Sequence, residues 1–292
     1  KEQRQAMIFL QQFGITLSLA VKVYQTYGPQ IYTIIRENPY RLADDIQGVG
    51  FRIADEIANR AGILADSDLR IRSGILYVLQ QAGGEGHTYL PKENLTEKVS
   101  EMLGVDANLI EKHYMDMAVV RKIVIKEQED VMQIYAAAYY NMEHNVAVML
   151  QQLNVRQETV RVNLEAKIAA IQQSSKVVLD ELQREAVCEA ARNGLLIITG
   201  GPGTGKTTTI NSIIRLYELE GLDFMLAAPT GRAAKRMSET TGYEARTIHR
   251  MLELNGGMEG NAGFERNESN PLETDAVIID EMSMVDITLM NS

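Results

Sequence analysis

The rhythm of apolar and polar positions changes along the chain. In residues 1–70 apolar residues recur at helical spacing, which predicts helices over Glu2–Gln12, Leu17–Tyr27, Gln30–Arg36 and Arg52–Ala61. Phe13-Gly14-Ile15-Thr16, Tyr27-Gly28-Pro29, Asn38-Pro39 and Gln47-Gly48-Val49-Gly50 separate them. Glycine or Asn-Pro at such points stops a helix. Ile71–Gln81 reads as a helix ended by Gly83-Gly84, His87–Leu90 as short and extended, and Pro91 as the opening of a helix through Met102. A further helix is expected over Leu109–Val119. Val120–Lys126 and Val131–Tyr135 then flank the acidic turn Glu127–Asp130 as a β-hairpin. Residues 136–176 are polar, helical and free of glycine and proline, which suits a connector. Beyond 177 continuous apolar runs appear at Leu195–Thr199, Phe224–Ala228 and Ala276–Asp280, with helical stretches among them. Strands alternating with helices predict an α/β domain with a parallel sheet. Asn255–Pro271, rich in Gly and Asn, reads as a long loop or hairpin before the last strand.

Composition narrows the class. The chain has 292 residues, enough for two domains at about 150 each. Apolar residues at 45% and charged residues at 23% exclude a disordered chain, a collagen-like chain and a small disulfide scaffold. The longest apolar runs are a few residues, against the roughly 20 that a bilayer span needs. No membrane segment or signal peptide is expected. Cys188 is the one cysteine, so no internal disulfide forms, which is compatible with a reducing, cytoplasmic setting.

The net charge of −10 is unevenly spread. Residues 1–70 hold eight basic and eight acidic residues, 71–176 hold 11 and 13, and 177–292 hold 10 and 18. No global field favours nucleic acid, so binding to it must rest on local sites.

The most specific chemical signal is Gly200-Gly201-Pro202-Gly203-Thr204-Gly205-Lys206-Thr207, which matches G-x-x-x-x-G-K-[ST] between an apolar run and a helix over Thr208–Glu220. The glycines let successive backbone N–H groups face a phosphate chain, and the helix dipole adds positive potential there. Lys206 reaches the β/γ-phosphates, the Thr207 hydroxyl is a ligand for Mg²⁺, and Thr208 follows at the start of the helix. Ile278-Ile279-Asp280-Glu281 has the form of the matching acidic site: Asp280 as a second Mg²⁺ ligand, Glu281 to orient or deprotonate an attacking water. Lys206, Asp280 and Glu281 are therefore the candidate catalytic residues.

Several segments together carry a family resemblance. Leu179-Asp180-Glu181-Leu182-Gln183-Arg184-Glu185-Ala186-Val187 resembles the glutamine motif that precedes the phosphate loop in superfamily 1 DNA helicases. Ala227-Ala228-Pro229-Thr230-Gly231-Arg232-Ala233-Ala234-Lys235-Arg236-Met237 resembles their next motif, and Ala245-Arg246-Thr247-Ile248-His249-Arg250-Met251-Leu252 the Thr-Ile-His segment after it. Phe264, Asn270-Pro271-Leu272 and Asp280–Asp286 complete the series. Residues 177–292 are thus similar to the first RecA-like motor domain of the RecD-like branch. That resemblance implies ATP and Mg²⁺ as cofactors, Gln183 as reader of adenine, and Thr230, Gly231, Arg232, Thr247 and His249 along a path for single-stranded DNA. It also implies a 5′→3′ direction, single-strand/double-strand junctions as partners, and a role in repair or recombination.

Ile46-Gln47-Gly48-Val49-Gly50-Phe51-Arg52 resembles a helix-hairpin-helix element, in which Gly48 and Gly50 let backbone N–H groups meet a DNA phosphate with Arg52 nearby. The Phe13–Thr16 turn resembles a degenerate partner hairpin. The layout of 71–140 resembles a winged helix. The fold class expected is therefore multidomain: a tandem helix-hairpin-helix region at 1–70, a winged-helix-like region at 71–140, a helical connector at 141–176, and an incomplete RecA-like P-loop α/β domain at 177–292. The resemblance further implies a piece of a longer protein, without a second motor domain and unwinding DNA poorly by itself. Two alternatives stay open from the residues: an AAA-type remodelling ATPase, and a non-enzymatic DNA-binding scaffold.

Overall fold

The computed structural model describes residues 2–46, 48–156, 163–201, 203–255 and 263–292. The chain divides into two compact units, Lys1–Glu143 and His144–Ser292.

The first unit begins with helices α1 (Glu2–Gln12), α2 (Leu17–Tyr27), α3 (Ile31–Glu37), α4 (Arg41–Asp45) and α5 (Phe51–Arg60), with a 3₁₀ turn at Gly28–Gln30. It continues through α6 (Asp68–Gly84), β1 (Tyr89–Pro91), α7 (Lys92–Leu103), α8 (Ala107–Val119), β2 (Ile123–Gln128), β3 (Val131–Ala136) and α9 (Ala137–Leu153), which crosses into the second unit. The short α4 escaped the reading from periodicity because five residues span barely one helical repeat. One hydrophobic cluster runs from Ala6 through Leu42, Ile57 and Ile75 to Ile134 and Ala136, so residues 1–70 and 71–140 share a core.

The strands form an antiparallel sheet in the order β1-β3-β2. Three helices, a strand between the first two and a closing hairpin give the winged-helix-like layout. The hairpin turns at Glu129 and Asp130, both left-handed, as its tight connection requires. Helix α6 stops at Gly84, as expected, with Glu85 as its C-cap. Tyr139 of α9 packs so closely on Gly83 that a Cβ there would strike its ring and hydroxyl. Here glycine serves close approach as well as standing at the helix end.

The second unit contains α10 (Leu164–Ser175), α11 (Glu181–Arg192), α12 (Lys206–Glu220), β4 (Phe224–Ala228), α13 (Gly231–Thr241), β5 (Ala245–Thr247), α14 (Ile248–Met251), β6 (Leu254–Asn255), β7 (Gly263–Phe264), β8 (Ala276–Ile279) and α15 (Ile287–Met290). The expected helical connector is broken after Leu153. There Val155 accepts a backbone hydrogen bond from Gly194 at 3.0 Å, and Arg156 pairs with Asn193.

The sheet is parallel, in the order β5-β4-β8. Successive residues of a strand face opposite sides. Leu226 accordingly packs with Ile214 of α12 and Met237 of α13, while Ala227 packs with Ile248 and Met251 of α14. Both faces of β4 are covered, which explains its continuous apolar run, while Val277 of β8 stays exposed.

One expected strand is corrected. Leu195–Thr199 has no ladder partner among the described residues, and Ile197 is 79% exposed. An apolar run states a preference for burial; hydrogen-bonded neighbours make a strand. The third strand is instead Ala245–Thr247, which is too short and polar for periodicity to reveal. The expected hairpin before the last strand is present as β6 paired with β7, its residues 256–262 lying outside those described.

Candidate functional site

The phosphate loop leads directly into α12. Gly203 and Gly205 both hold φ of +78°, a left-handed conformation that favours glycine, and Gly205 is the N-cap of the helix. The Thr204 hydroxyl donates to the Gly201 carbonyl at 2.9 Å. The Lys206 ammonium folds back onto the carbonyls of Gly200 and Gly201, the latter at 3.3 Å. The loop is thus curled around its own lysine, and incoming phosphate oxygens would take over these carbonyl contacts. Thr207 is exposed beside it. Thr208 lines a polar cavity with Asn211, Ser212, Arg215 and Thr240. Pro202 lies outside the described residues.

Gln183 sits on α11, which opens with a reciprocal cap. Asp180 Oδ1 accepts from the Gln183 N–H at 2.8 Å, and Gln183 Oε1 accepts from the Asp180 N–H at 3.2 Å. The remaining end of the amide, Nε2, donates to the Thr204 carbonyl at 3.2 Å. Asp180 was not singled out as functional from the residues. The Asp-x-x-Gln spacing, a capping-box pattern, is the signal that finds it.

Three other expected residues follow the carboxyl ends of the parallel strands. The register sets Ala228 beside Thr247 and Ala227 beside Ile279, so Thr230, Thr247 and Asp280 emerge at one edge. Ligands of open α/β sheets gather there. Thr230 caps α13 by accepting from the Ala233 N–H at 3.2 Å, and Thr247 caps α14 by accepting from the Arg250 N–H at 3.3 Å. A hydroxyl that accepts still has its own hydrogen to donate, so both remain competent towards a phosphate oxygen. Gly231 and Arg232 are exposed in the first turn of α13. His249 is exposed and its ring meets Phe264 at 5.9 Å between centroids.

Asp280 donates its N–H to the Ala227 carbonyl at 3.0 Å, and its Oδ1 accepts from the Glu281 N–H at 2.9 Å. Glu281 takes a left-handed φ of +55°, turning the chain sharply after β8. The donor set, one hydroxyl at Thr207 and one carboxylate at Asp280, is all hard oxygen. It suits Mg²⁺, which is commonly held by one or two protein oxygens together with phosphates. No cluster of three or more His, Cys, Asp or Glu able to hold a metal occurs among the described residues.

In the first unit, Ile46 and Val49 plug into the core and turn Gly48 and Gly50 outward. Gly48 has φ of +100°, and Gly50 caps α5 with no side-chain cap hydrogen bond among the described residues. Apart from its own chain neighbours, neither glycine has a described atom within 4 Å of where a Cβ would stand, and Arg52 is exposed just beyond. This is an open backbone face of the kind a phosphate fits. The Phe13–Thr16 turn differs. Gly14 also has positive φ, but the Arg60 guanidinium lies against it and is held by Glu56 at 2.7 Å. The first hairpin is therefore occupied by protein.

Comparisons with known proteins follow the same division. Residues 1–89 match the family model described as the ATP-dependent RecD2 DNA helicase HHH domain, and residues 183–292 match one described as an AAA domain. The chain is 29% identical over 299 residues to the ATP-dependent RecD2 DNA helicase of Deinococcus radiodurans, an alignment covering 99% of this chain and 41% of the relative. It is 35% identical over 133 residues to the RecBCD enzyme subunit RecD of Mycolicibacterium smegmatis, covering 38% of this chain and 24% of that one. The Haemophilus influenzae RecBCD enzyme subunit RecD is 35% identical over 133 residues, covering 37% and 20%. The chain spans less than half the length of these relatives.

Proposed function

For a chain that is RecD-like, with a helix-hairpin-helix region in front and a phosphate-loop domain behind, we propose that the whole protein is an ATP-dependent DNA helicase acting in repair or recombination. The observation that carries this reading is the gathering of Thr230, Thr247 and Asp280 at one edge of a parallel sheet whose face is covered by α12, the helix of the phosphate loop.

In this mechanism Lys206 and the loop N–H groups hold the β- and γ-phosphates. Thr207 and Asp280 would hold Mg²⁺, which would supply charge neutralisation for the transferred phosphoryl group. Glu281 takes the proton of the attacking water. Gln183 reads adenine, and Thr230, Gly231, Arg232, Thr247 and His249 follow the backbone of single-stranded DNA. The Gly48–Gly50 hairpin grips phosphate without reading sequence. The protein moves 5′→3′ on single strands and engages single-strand/double-strand junctions in the cytoplasm. No described helix is long and apolar enough to cross a membrane. The division into 1–70, 71–140, 141–176 and 177–292 is proposed as functional. The 292 residues alone bind nucleotide and unwind poorly.

The test is Mg²⁺-dependent binding of a non-hydrolysable ATP analogue to this chain. Binding that is lost in Lys206→Ala, with helix content retained, supports the reading. Binding that survives the substitution contradicts it.

A further inference from the structure

The Gln183 amide is engaged at both of its ends. Oε1 accepts from the Asp180 N–H at 3.2 Å, while Nε2 donates to the Thr204 carbonyl at 3.2 Å. Gly205 lies so close beneath that a Cβ on it would strike Nε2. The peptide joining Thr204 to Gly205 is planar and trans, so its C=O and N–H point in opposite directions. Drawing the Thr204 carbonyl towards Gln183 therefore turns the Gly205 N–H away from α11. That N–H belongs to the last peptide before Lys206, the end of the loop nearest the helix dipole.

We infer that Asp180, acting through Gln183, fixes the orientation of the last peptide of the phosphate loop, so that this pair governs affinity for the polyphosphate itself and not only the choice of base. The inference rests on the nucleotide reading above and deepens it. Asp180 is a positioning residue: it holds Gln183 by a reciprocal cap, and Gln183 holds the loop. The two roles of Gln183 are compatible. An amide nitrogen carries two hydrogens and an amide oxygen two lone pairs. With one of each committed to protein, one donor and one acceptor remain, the pair that the N7 and N6 edge of adenine requires.

The experiment titrates the purified chain with tripolyphosphate, which has no base, and with ATP and GTP, all with Mg²⁺. The variants are Gln183→Leu, Asp180→Ala and the double substitution, each checked for helix content. Gln183→Leu is expected to weaken tripolyphosphate binding by about 3- to 10-fold, the scale of one hydrogen bond. Asp180→Ala is expected to weaken it less, and to add nothing in the Gln183→Leu background. Should Gln183→Leu misfold, Gln183→Glu at high salt keeps the cap and loses the donor, with the same expectation. Tripolyphosphate affinity unchanged within about twofold while ATP-over-GTP preference falls overturns the inference and leaves the nucleotide reading standing. An independent loss from Asp180→Ala in the double variant overturns the positioning role. A wild-type chain that binds none of the three overturns the nucleotide reading and this inference with it.

Discussion

Arg70 closes on Asp55 with two hydrogen bonds, Nε–H to Oδ1 at 2.9 Å and Nη2–H to Oδ2 at 3.2 Å. Its Nη1 donates to the carbonyls of Ala65 and Leu103 at 2.8 and 2.9 Å, and the Tyr40 hydroxyl donates to Asp55 Oδ1 at 2.6 Å. Burial, and then the Asp55 carboxylate, push the Tyr40 phenol well above its ordinary range, so it stays a donor. Asp55 lies on the helix that the Gly48–Gly50 hairpin opens, and Arg70 lies on α6. The side chains are only 24% and 16% exposed, so this is not a solvated surface pair. Asp55→Ala or Arg70→Ala is expected to cost the first unit about 2–3 kcal/mol in urea unfolding, below the range for a fully buried pair because both groups touch water. A loss under about 0.5 kcal/mol would place the pair with ordinary surface bridges.

Gly83 makes a second stability prediction. A Cβ there meets the Tyr139 ring, so Gly83→Ala is expected to destabilise by about 1–3 kcal/mol, the range of overpacking. Tyr139→Ala should restore part of that loss in the double variant, measured by the same unfolding. Independent, additive losses would show that the contact is not the cause.

His113 makes the first unit sensitive to acid. It is buried, its Nδ1 accepts from Arg72 Nε–H at 3.2 Å, and its Nε2 lies 3.2 Å from Asp68 Oδ1 without the alignment of a hydrogen bond. Burial pushes the imidazole down, Asp68 pulls it up, and Arg72 and Lys112 push it down again; the net is a value below the ordinary 6.5. The unfolded chain therefore binds the proton more readily. The contribution of His113 is fully present above the unfolded value of 6.5 and declines as pH falls from there towards the lower folded value. Thermal unfolding at pH 7 and pH 5 should show a drop that shrinks in His113→Gln. An equal drop in both would assign it to other groups.

The two hairpins should respond differently to substitution. Gly48 stands open with φ of +100°, and Gly50 caps α5. Gly48→Ala is expected to weaken binding to short DNA about tenfold at low salt, since both the backbone conformation and the approach of a phosphate are lost. The weakened variant should show a shallower salt slope. Arg60→Ala, at the occupied first hairpin, should change affinity far less. Equal effects of the two substitutions would count against an exclusive role for the second hairpin.

What could be read in the sequence depended on which forces act locally. Glu2–Gln12 and Leu17–Tyr27 were legible to the residue, because helical stripes and glycine stops are local properties. Leu195–Thr199 was not, since ladder formation depends on a neighbour elsewhere in the chain. The glycines of α6 were legible as a helix end, but only the fold shows Tyr139 against Gly83. At the site, the phosphate loop and the acidic pair were legible as motifs. That Thr230 and Thr247 are helix caps, and that Gln183 reaches Thr204, appears only when parallel register and the α11 cap are in place.

If nucleotide chemistry at Lys206 drives strand separation, the whole protein couples ATP hydrolysis to unwinding. The most direct measurement is displacement of a labelled strand from a partial duplex by the full-length protein, with Mg-ATP, with the non-hydrolysable analogue, and with Lys206→Ala. Displacement is expected with Mg-ATP only, with none on the analogue and none in the variant. ATP hydrolysis without strand displacement, or displacement that survives Lys206→Ala, would contradict it.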